Sequence, residues 1–197
     1  MKKTFEIIHF PSTTDVYDRI VQTKNIILKL NPKRLLDIGG ADYLNLCKKH
    51  NISYTSLNLT TPQGNGTGGY HKNEATILYN GRDIPFPKNS FDLIVINFVL
   101  HHASNNTLYL LQQIKDISTK YILIGEDLSE INYDIKWHNR NHNHQPGGLY
   151  RSDEEWKILF NLYNLDLIAQ YIIHRSDDIN KNHIYRCIYL LEKSANL

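Results

Sequence analysis

Short apolar runs alternate with segments of helical periodicity along this chain of 197 residues. A run of four to eight apolar residues bounded by turn residues predicts a strand, whereas apolar positions three or four apart predict a helix. Residues 1–12 are extended in character, and seven later runs have the pattern of strands: 35–38, 52–59, 75–79, 91–99, 121–124, 165–174 and 183–191. The pattern therefore predicts a sheet-rich α/β protein.

Helices are predicted between these runs. The first begins near Thr14 or Asp15 and ends before Pro32. Further helical segments cover 42–50, 105–117 and 152–163, and the last opens with a capping box of Ser152 and Glu155. Strands that alternate with helices predict a doubly wound, mainly parallel sheet of seven strands, with the last two runs as an antiparallel C-terminal pair. We expect one domain over 1–197, with a helical lead-in at 1–33.

The stretch from Arg34 to Asp42 is the centre of this organisation. Its apolar run carries one acid, Asp37, and ends at Gly39 and Gly40. Glycine allows a sharp turn and lets a ligand approach the backbone without a Cβ in the way. In open α/β sheets ligands bind in the crevice beyond the carboxyl ends of the strands, so this turn predicts a ligand site.

Composition narrows the class of protein. The chain is 41% hydrophobic and 21% charged, as in ordinary globular proteins, and its net charge of +2 gives no overall support for nucleic acid or an anionic membrane as partner. Cys47 and Cys187 match no zinc or redox spacing and predict free buried thiols in a reducing compartment. Because neither a signal core nor a membrane-spanning run is present, we expect a cytoplasmic protein.

In this order the motifs resemble those of the class I S-adenosylmethionine-dependent methyltransferases over nearly the whole chain. The strand and glycine motif of that family is matched at 36–43, and its Leu-Pro-Phe turn with the following strand is matched at 83–95. The Leu-His-His sequence at 100–102 and the segment 150–156 continue the match. The resemblance implies a Rossmann-like fold, S-adenosylmethionine as cofactor and methyl transfer to an acceptor that the sequence does not identify.

The resemblance also implies a set of cofactor-binding residues. Asp37 would orient the glycine loop and, through water, the methionine amino group of the cofactor. Ala41 and Tyr43 stand where the family has its later glycines, and Tyr43 would crowd the methionine side or cover it as a lid. Asn58 stands where the family has an acid that binds the ribose hydroxyls, and Asn80 stands where it has an acid that binds the adenine amino group. The whole set is Asp37, Gly39, Gly40, Asn58, Asn80, Gly81 and Asn97.

Candidate bases follow the fourth and fifth strands of the motif order. His101 and His102 come just after the first of these strands, and Glu126, with Asp127, comes after the second. A histidine there could deprotonate an oxygen or nitrogen nucleophile at neutral pH. Alternatively, one histidine begins the next helix and the other packs under the sheet, while the acids are turn residues.

The polar segment 129–150 predicts a substrate lid. It contains Trp137 together with three histidines, His138, His142 and His144, whose spacing could supply metal ligands. Because the segment is rich in asparagine, solvated histidines are favoured over a metal site, and no metal is expected.

Two functions from different classes stay open. The first is a methyltransferase. The second is a non-catalytic, methyltransferase-like subunit that binds a partner or a nucleic acid, which the incomplete glycine motif and the amides at 58 and 80 motivate. Such a subunit should carry an exposed apolar or basic patch. A nicotinamide-dependent oxidoreductase is disfavoured, because the spacing Gly-x-Gly-x-x-Gly is missing.

Overall fold

A computed structural model describes residues 6–10, 15–40, 43–60, 73–129, 149–173 and 186–194. Eight strands are described: β1 Glu6–Phe10, β2 Arg34–Ile38, β3 Ser53–Leu59, β4 Thr76–Tyr79, β5 Phe91–Asn97, β6 Ser118–Asp127, β7 Leu165–Ile173 and β8 Arg186–Lys193. The helices are α1 Asp15–Leu30, α2 Leu44–Lys49, α3 Thr107–Ile117 and α4 Asp153–Leu162, and a 3-10 helix spans Leu100–Asn106. The predicted lid at 130–148, with its three histidines, and the glycine-rich segment 61–72 lie outside the described residues.

All eight strands form one sheet in the order β1-β7-β8-β6-β5-β2-β3-β4. The strand β8 runs antiparallel to both of its neighbours, and every other pair is parallel. The mainly parallel, doubly wound sheet with its antiparallel C-terminal pair is thus confirmed. The predicted number of seven strands is one too low, because the extended lead-in contributes β1, which pairs with β7.

Two apolar layers cover the two faces of the sheet. On one face Leu36 and Ile94 pack with α3 and with Trp156 of α4. On the other face Leu35 and Leu93 pack with Ile26 and Ile27 of α1 and with Cys47 of α2. Strands buried on both faces are apolar at nearly every position, which explains why β2 and β5 give such strong signals in the sequence.

Polar side chains gather where these strands end. Because β2, β3, β5 and β6 are mutually parallel, their carboxyl ends meet at one edge of the sheet, which we call the carboxyl edge. Side chains alternate between faces along a strand. Asp37, Asn58 and Asn97 therefore share the face of α1 and α2, whereas Glu126 lies on the face of α3 and α4. The strand β8 starts at this edge, with Arg186 opposite Asp127.

Candidate functional site

Two consecutive glycines make the turn after β2. Gly39 has a φ of +87° and Gly40 a φ of +60°, a backbone conformation that side chains disfavour. A Cβ on Gly39 would lie 2.3 Å from Cγ2 of Val99, and a Cβ on Gly40 would lie 2.9 Å from Oδ1 of Asn58. Both positions therefore require glycine, and the turn leaves its backbone accessible at the carboxyl edge.

Asp37 is fixed by a tyrosine that the sequence did not single out. The Asp37 carboxylate is 2% exposed, and its Oδ2 accepts a hydrogen bond of 2.8 Å from the Tyr54 hydroxyl. Burial, together with the charge of Asp37, raises the pKa of Tyr54, so the phenol stays protonated and donates. Burial likewise raises the pKa of Cys47 to about 11, with Asp37 adding to the effect, so this thiol is uncharged at neutral pH.

Tyr43 lies in the core beneath the glycine turn. It is 1% exposed, it precedes α2, and its ring packs with the apolar layer of α1. Tyr43 therefore does not form a lid over the crevice. Its backbone N–H donates to the Tyr54 hydroxyl at 3.4 Å, and its own hydroxyl accepts from Nδ2 of Asn97 at 3.4 Å.

Asn97 is the last residue of β5 and is oriented from α1. Its Nδ2 donates to Oγ1 of the buried Thr23 at 3.0 Å. Its Oδ1 is buried and has no hydrogen-bond partner within the described part of the chain. A Cβ on Gly125 of β6 would lie 2.5 Å from that oxygen, so glycine there leaves space for it. A buried acceptor of this kind calls for a donor from elsewhere.

The two amides at the predicted ribose and adenine positions have different environments. Asn58 is buried beside Gly40, and its Nδ2 donates to Oγ of Ser56 at 3.2 Å. Asn80 is exposed, and its Oδ1 accepts from the backbone N–H groups of Arg82 and Asp83 at 2.9 and 2.8 Å. Both lone pairs of this amide oxygen are thereby used in a turn around Gly81. The roles of Asn80 and Gly81 in cofactor binding stay predictions.

His101 and Glu126 form a buried pair on the other face of the edge. The Nδ1 atom of His101 lies 2.6 Å from Oε2 of Glu126, and Oε1 accepts from the backbone N–H of Leu100 at 2.8 Å. The side chains are 2% and 0% exposed. The Tyr150 ring stacks on the His101 ring at 4.8 Å, and the His102 ring lies 3.8 Å from it.

The electrostatics of this pair follow from burial and charge. Burial lowers the pKa of His101, but the attraction of Glu126, assisted by Asp127, outweighs it, so the pKa is raised above its ordinary value. Because both carboxylate oxygens of Glu126 are engaged, its geometry suits a residue that orients His101 and balances its charge. Its predicted role as a base itself stays untested.

Arg186 and Asp127 form a second buried ion pair at this edge. The guanidinium of Arg186 lies 5.5 Å from the centre of the Phe98 ring. Phe98 directly follows β5 and has a φ of +60°, which is strained for an aromatic residue. Such strain concentrates at functional sites.

The structure thus brings Asp37, Gly39, Gly40, Asn58 and Asn97 together on one side of the carboxyl edge and His101 with Glu126 on the other. Sequence reasoning missed Tyr54, Thr23 and Arg186. The tyrosine hydroxyl gave no signal, because an aromatic residue in an alternating strand looks like any core residue. No group of three potential metal ligands occurs among the described residues, and no described helix has the length and apolarity needed to cross a membrane.

Comparisons with known proteins concern a domain of the chain and its fold. Residues 36–119, from the β2 strand to the start of β6, match the family model of the methyltransferase domain. No curated protein matches the sequence significantly.

Solved structures align over almost the whole chain. A SAM-dependent methyltransferase from Archaeoglobus fulgidus has a TM-score of 0.64 at 14% identity, covering 91% of this chain and 100% of that one. The 1,6-didemethyltoxoflavin-N1-methyltransferase of Burkholderia thailandensis, solved with 1,6-didemethyltoxoflavin and S-adenosylhomocysteine, has a TM-score of 0.60 at 14% identity, covering 91% and 84%. A complex between the Haloferax volcanii Trm112 methyltransferase activator and a protein assigned as a methyltransferase gives 0.62 at 13% identity, covering 94% and 99%. Residues 36–119 therefore match the methyltransferase domain, and the chain shares the fold of these solved methyltransferases.

Proposed function

We propose that this protein transfers a methyl group from S-adenosylmethionine to an acceptor molecule. The observation that carries the proposal is the joint placement of Asp37, the Gly39–Gly40 turn and Asn58 at the carboxyl edge of a methyltransferase fold. Ligands of open α/β sheets bind at this edge. The nicotinamide alternative lacks its glycine motif and finds no support in the family match.

The residues fit the cofactor by two tests. The glycine turn keeps its backbone free of side chains at the carboxyl edge, since a Cβ on Gly39 or Gly40 would meet Val99 or Asn58, and Oδ1 of Asn97 is a buried acceptor that lacks a donor within the described residues. Asp37 would hold the ammonium end of the cofactor, and Asn58 would accept from ribose hydroxyls. Bound S-adenosylmethionine supplies an electrophilic methyl group on a positively charged sulfur.

Among the described residues, His101 is the base that we assign to an acceptor that must lose a proton. Since Glu126 holds Nδ1, the proton would be taken up at Nε2, and the carboxylate would balance the charge that forms. A base acts in its neutral form. Methyl transfer should therefore increase as the pH rises through the raised pKa of His101, and it should lose that dependence in His101→Gln.

Calorimetric titration with S-adenosylmethionine and S-adenosylhomocysteine tests the proposal. We expect micromolar binding by the wild type and its loss in Asp37→Ala, because the carboxylate that would hold the ammonium group is removed. The matched control is Asp116→Ala, which removes an acid on α3 that contacts Lys88 and Gln112. A folded wild type that binds neither ligand contradicts the proposal.

A second candidate function is partner binding without catalysis. The observation that favours it is a pair of exposed apolar side chains on the edge strand β4, Ile77 at 41% and Leu78 at 42%, one on each face of the sheet. Edge strands with exposed apolar residues are ready sites for pairing with another chain. The calorimetric titration separates the two functions, since a non-catalytic subunit has no need to bind either ligand.

A further inference from the structure

Asp37 and α2 are joined through one buried hydroxyl group. The Tyr54 hydroxyl donates to Oδ2 of Asp37 at 2.8 Å and accepts from the backbone N–H of Tyr43 at 3.4 Å. We call this arrangement the Tyr54 bridge. It connects three segments: β2 with its acid, β3 with the tyrosine, and Tyr43, the residue that precedes α2.

Packing alone does not account for the hydroxyl. Tyr54 lies in the apolar layer with Leu35, Cys47 and Ile52, where a phenylalanine ring would fill the same space. A buried hydroxyl is costly unless it is hydrogen-bonded, and here two of its partners, Asp37 and Tyr43, belong to the cofactor motif, while Ser56 of β3 is a further partner. A bond to an ionised carboxylate is among the stronger ones in proteins, so it fixes the Asp37 side chain in one orientation.

The Tyr54 bridge includes the residue at which this sequence departs from the family motif. Tyr43 stands where the motif has glycine, and its backbone N–H is held by the bridge while its hydroxyl accepts from Asn97. The same tyrosine pair therefore connects the two side chains that would meet the amino-acid end of the cofactor, Asp37 and Asn97. The position that departs from glycine is thus hydrogen-bonded to both Tyr54 and Asn97.

We infer that Tyr54 is a positioning residue for the amino-acid end of S-adenosylmethionine, acting through Asp37. This inference rests on the proposed function. Tyr54 does not contact the reacting atoms in this role. It holds the carboxylate ready for an ammonium group, so its effect should be confined to ligands that carry one.

The test compares two ligands that differ in that end. S-Adenosylhomocysteine carries the amino-acid group, and 5′-methylthioadenosine lacks it. In Tyr54→Phe we expect affinity for S-adenosylhomocysteine to fall about tenfold, the value of one hydrogen bond to a charged group, and affinity for 5′-methylthioadenosine to stay within about twofold. The matched control is Tyr163→Phe, which removes a tyrosine hydroxyl that donates to the Leu108 carbonyl between α4 and α3.

A general structural role predicts equal losses for both ligands, and that result, or no loss for either, overturns the inference while the proposed function stands. If the wild type binds no S-adenosylhomocysteine, the proposed function fails and the inference with it. Asp37→Asn supplies a second measure, should Tyr54→Phe fold poorly. It should show the same selective loss, and Tyr54→Phe should add less than twofold in that background; a nonselective loss in Asp37→Asn overturns the inference.

Discussion

Replacing Glu126 by glutamine tests the electrostatics of the carboxyl edge. The substitution keeps the shape of the side chain and removes its charge. Glu126 is fully buried and makes two bonds, to the Leu100 N–H at 2.8 Å and to Nδ1 of His101 at 2.6 Å. A bond to a charged group contributes about 1.5–3 kcal/mol and a neutral bond about 1 kcal/mol. We therefore expect the free energy of unfolding to fall by about 1–4 kcal/mol.

The loss of unfolding free energy in Glu126→Gln should be larger at low pH than at high pH. The pKa of His101 in the folded protein is raised, because Glu126, with help from Asp127, outweighs burial and the opposing charge of Arg186. When the pKa of a histidine is higher in the folded protein than in the unfolded protein, where it is about 6.5, its protonation stabilises the fold. This stabilisation is fully present below the unfolded-state pKa and is lost as the pH rises through the folded-state pKa. The difference in the free energy of unfolding between wild type and Glu126→Gln should be largest near pH 6. It should become smaller toward pH 9, by at most about 1.4 kcal/mol per pH unit.

Chemical denaturation at pH 6 and pH 9 measures both quantities, with the fluorescence of the buried Trp156 as a probe. The control is Glu154→Gln, an exposed acid in the first turn of α4, for which the change should stay within about 0.5 kcal/mol. A loss below about 0.5 kcal/mol in Glu126→Gln at pH 6, or a difference that is constant from pH 6 to pH 9, would refute the assignment of a charged, stabilising pair.

Two further substitutions test the glycine turn and the turn after β4. Gly40→Ala should cost about 1–2 kcal/mol of stability and weaken binding of S-adenosylhomocysteine, because a side chain at a φ of +60° meets the Asn58 amide; addition of Asn58→Ala should restore part of the stability, and strictly additive losses would contradict this contact. Asn80→Asp restores the acid of the family motif, but Nδ2 of Asn80 donates to Oδ2 of Asp83 at 3.1 Å, so the new carboxylate would face another carboxylate. We expect no gain in affinity for S-adenosylhomocysteine in Asn80→Asp, and we expect the addition of Asp83→Asn to restore the hydrogen bond between these two side chains of the turn. A tenfold tighter complex in Asn80→Asp alone would contradict the role of Asn80 in the turn.

The local pattern of the sequence was sufficient for most of the fold. The helix predicted to begin near Asp15 and to end before Pro32 spans Asp15–Leu30. The capping box predicted before Trp156 is present in both directions, since Ser152 accepts from the Glu155 N–H and Glu155 accepts from the Ser152 N–H. Such features depend on neighbours a few residues apart, and their physics is therefore visible in the sequence.

Features that depend on distant partners were harder to predict. The strand β1 is five residues long and pairs with β7 near the other end of the chain, so no local pattern identifies its neighbour. The helix predicted over 105–117 begins at Thr107 and follows a 3-10 helix, which brings Leu100 and His101 to Glu126. The sequence indicated His101 and Glu126 separately, and only the fold shows that they are a pair.

The pairing of β1 with β7 has a consequence for folding. Because Glu6 lies opposite Ala169, the outer strand of the sheet cannot form until almost the whole chain has been assembled. Closing so long a loop has an entropic cost, so β1 should join late and leave early in unfolding. Without β1, the strand β7 would present an unpaired row of backbone groups beside apolar residues such as Ile172, which is a template for aggregation. A short segment at one end of the chain thus protects a strand near the other end.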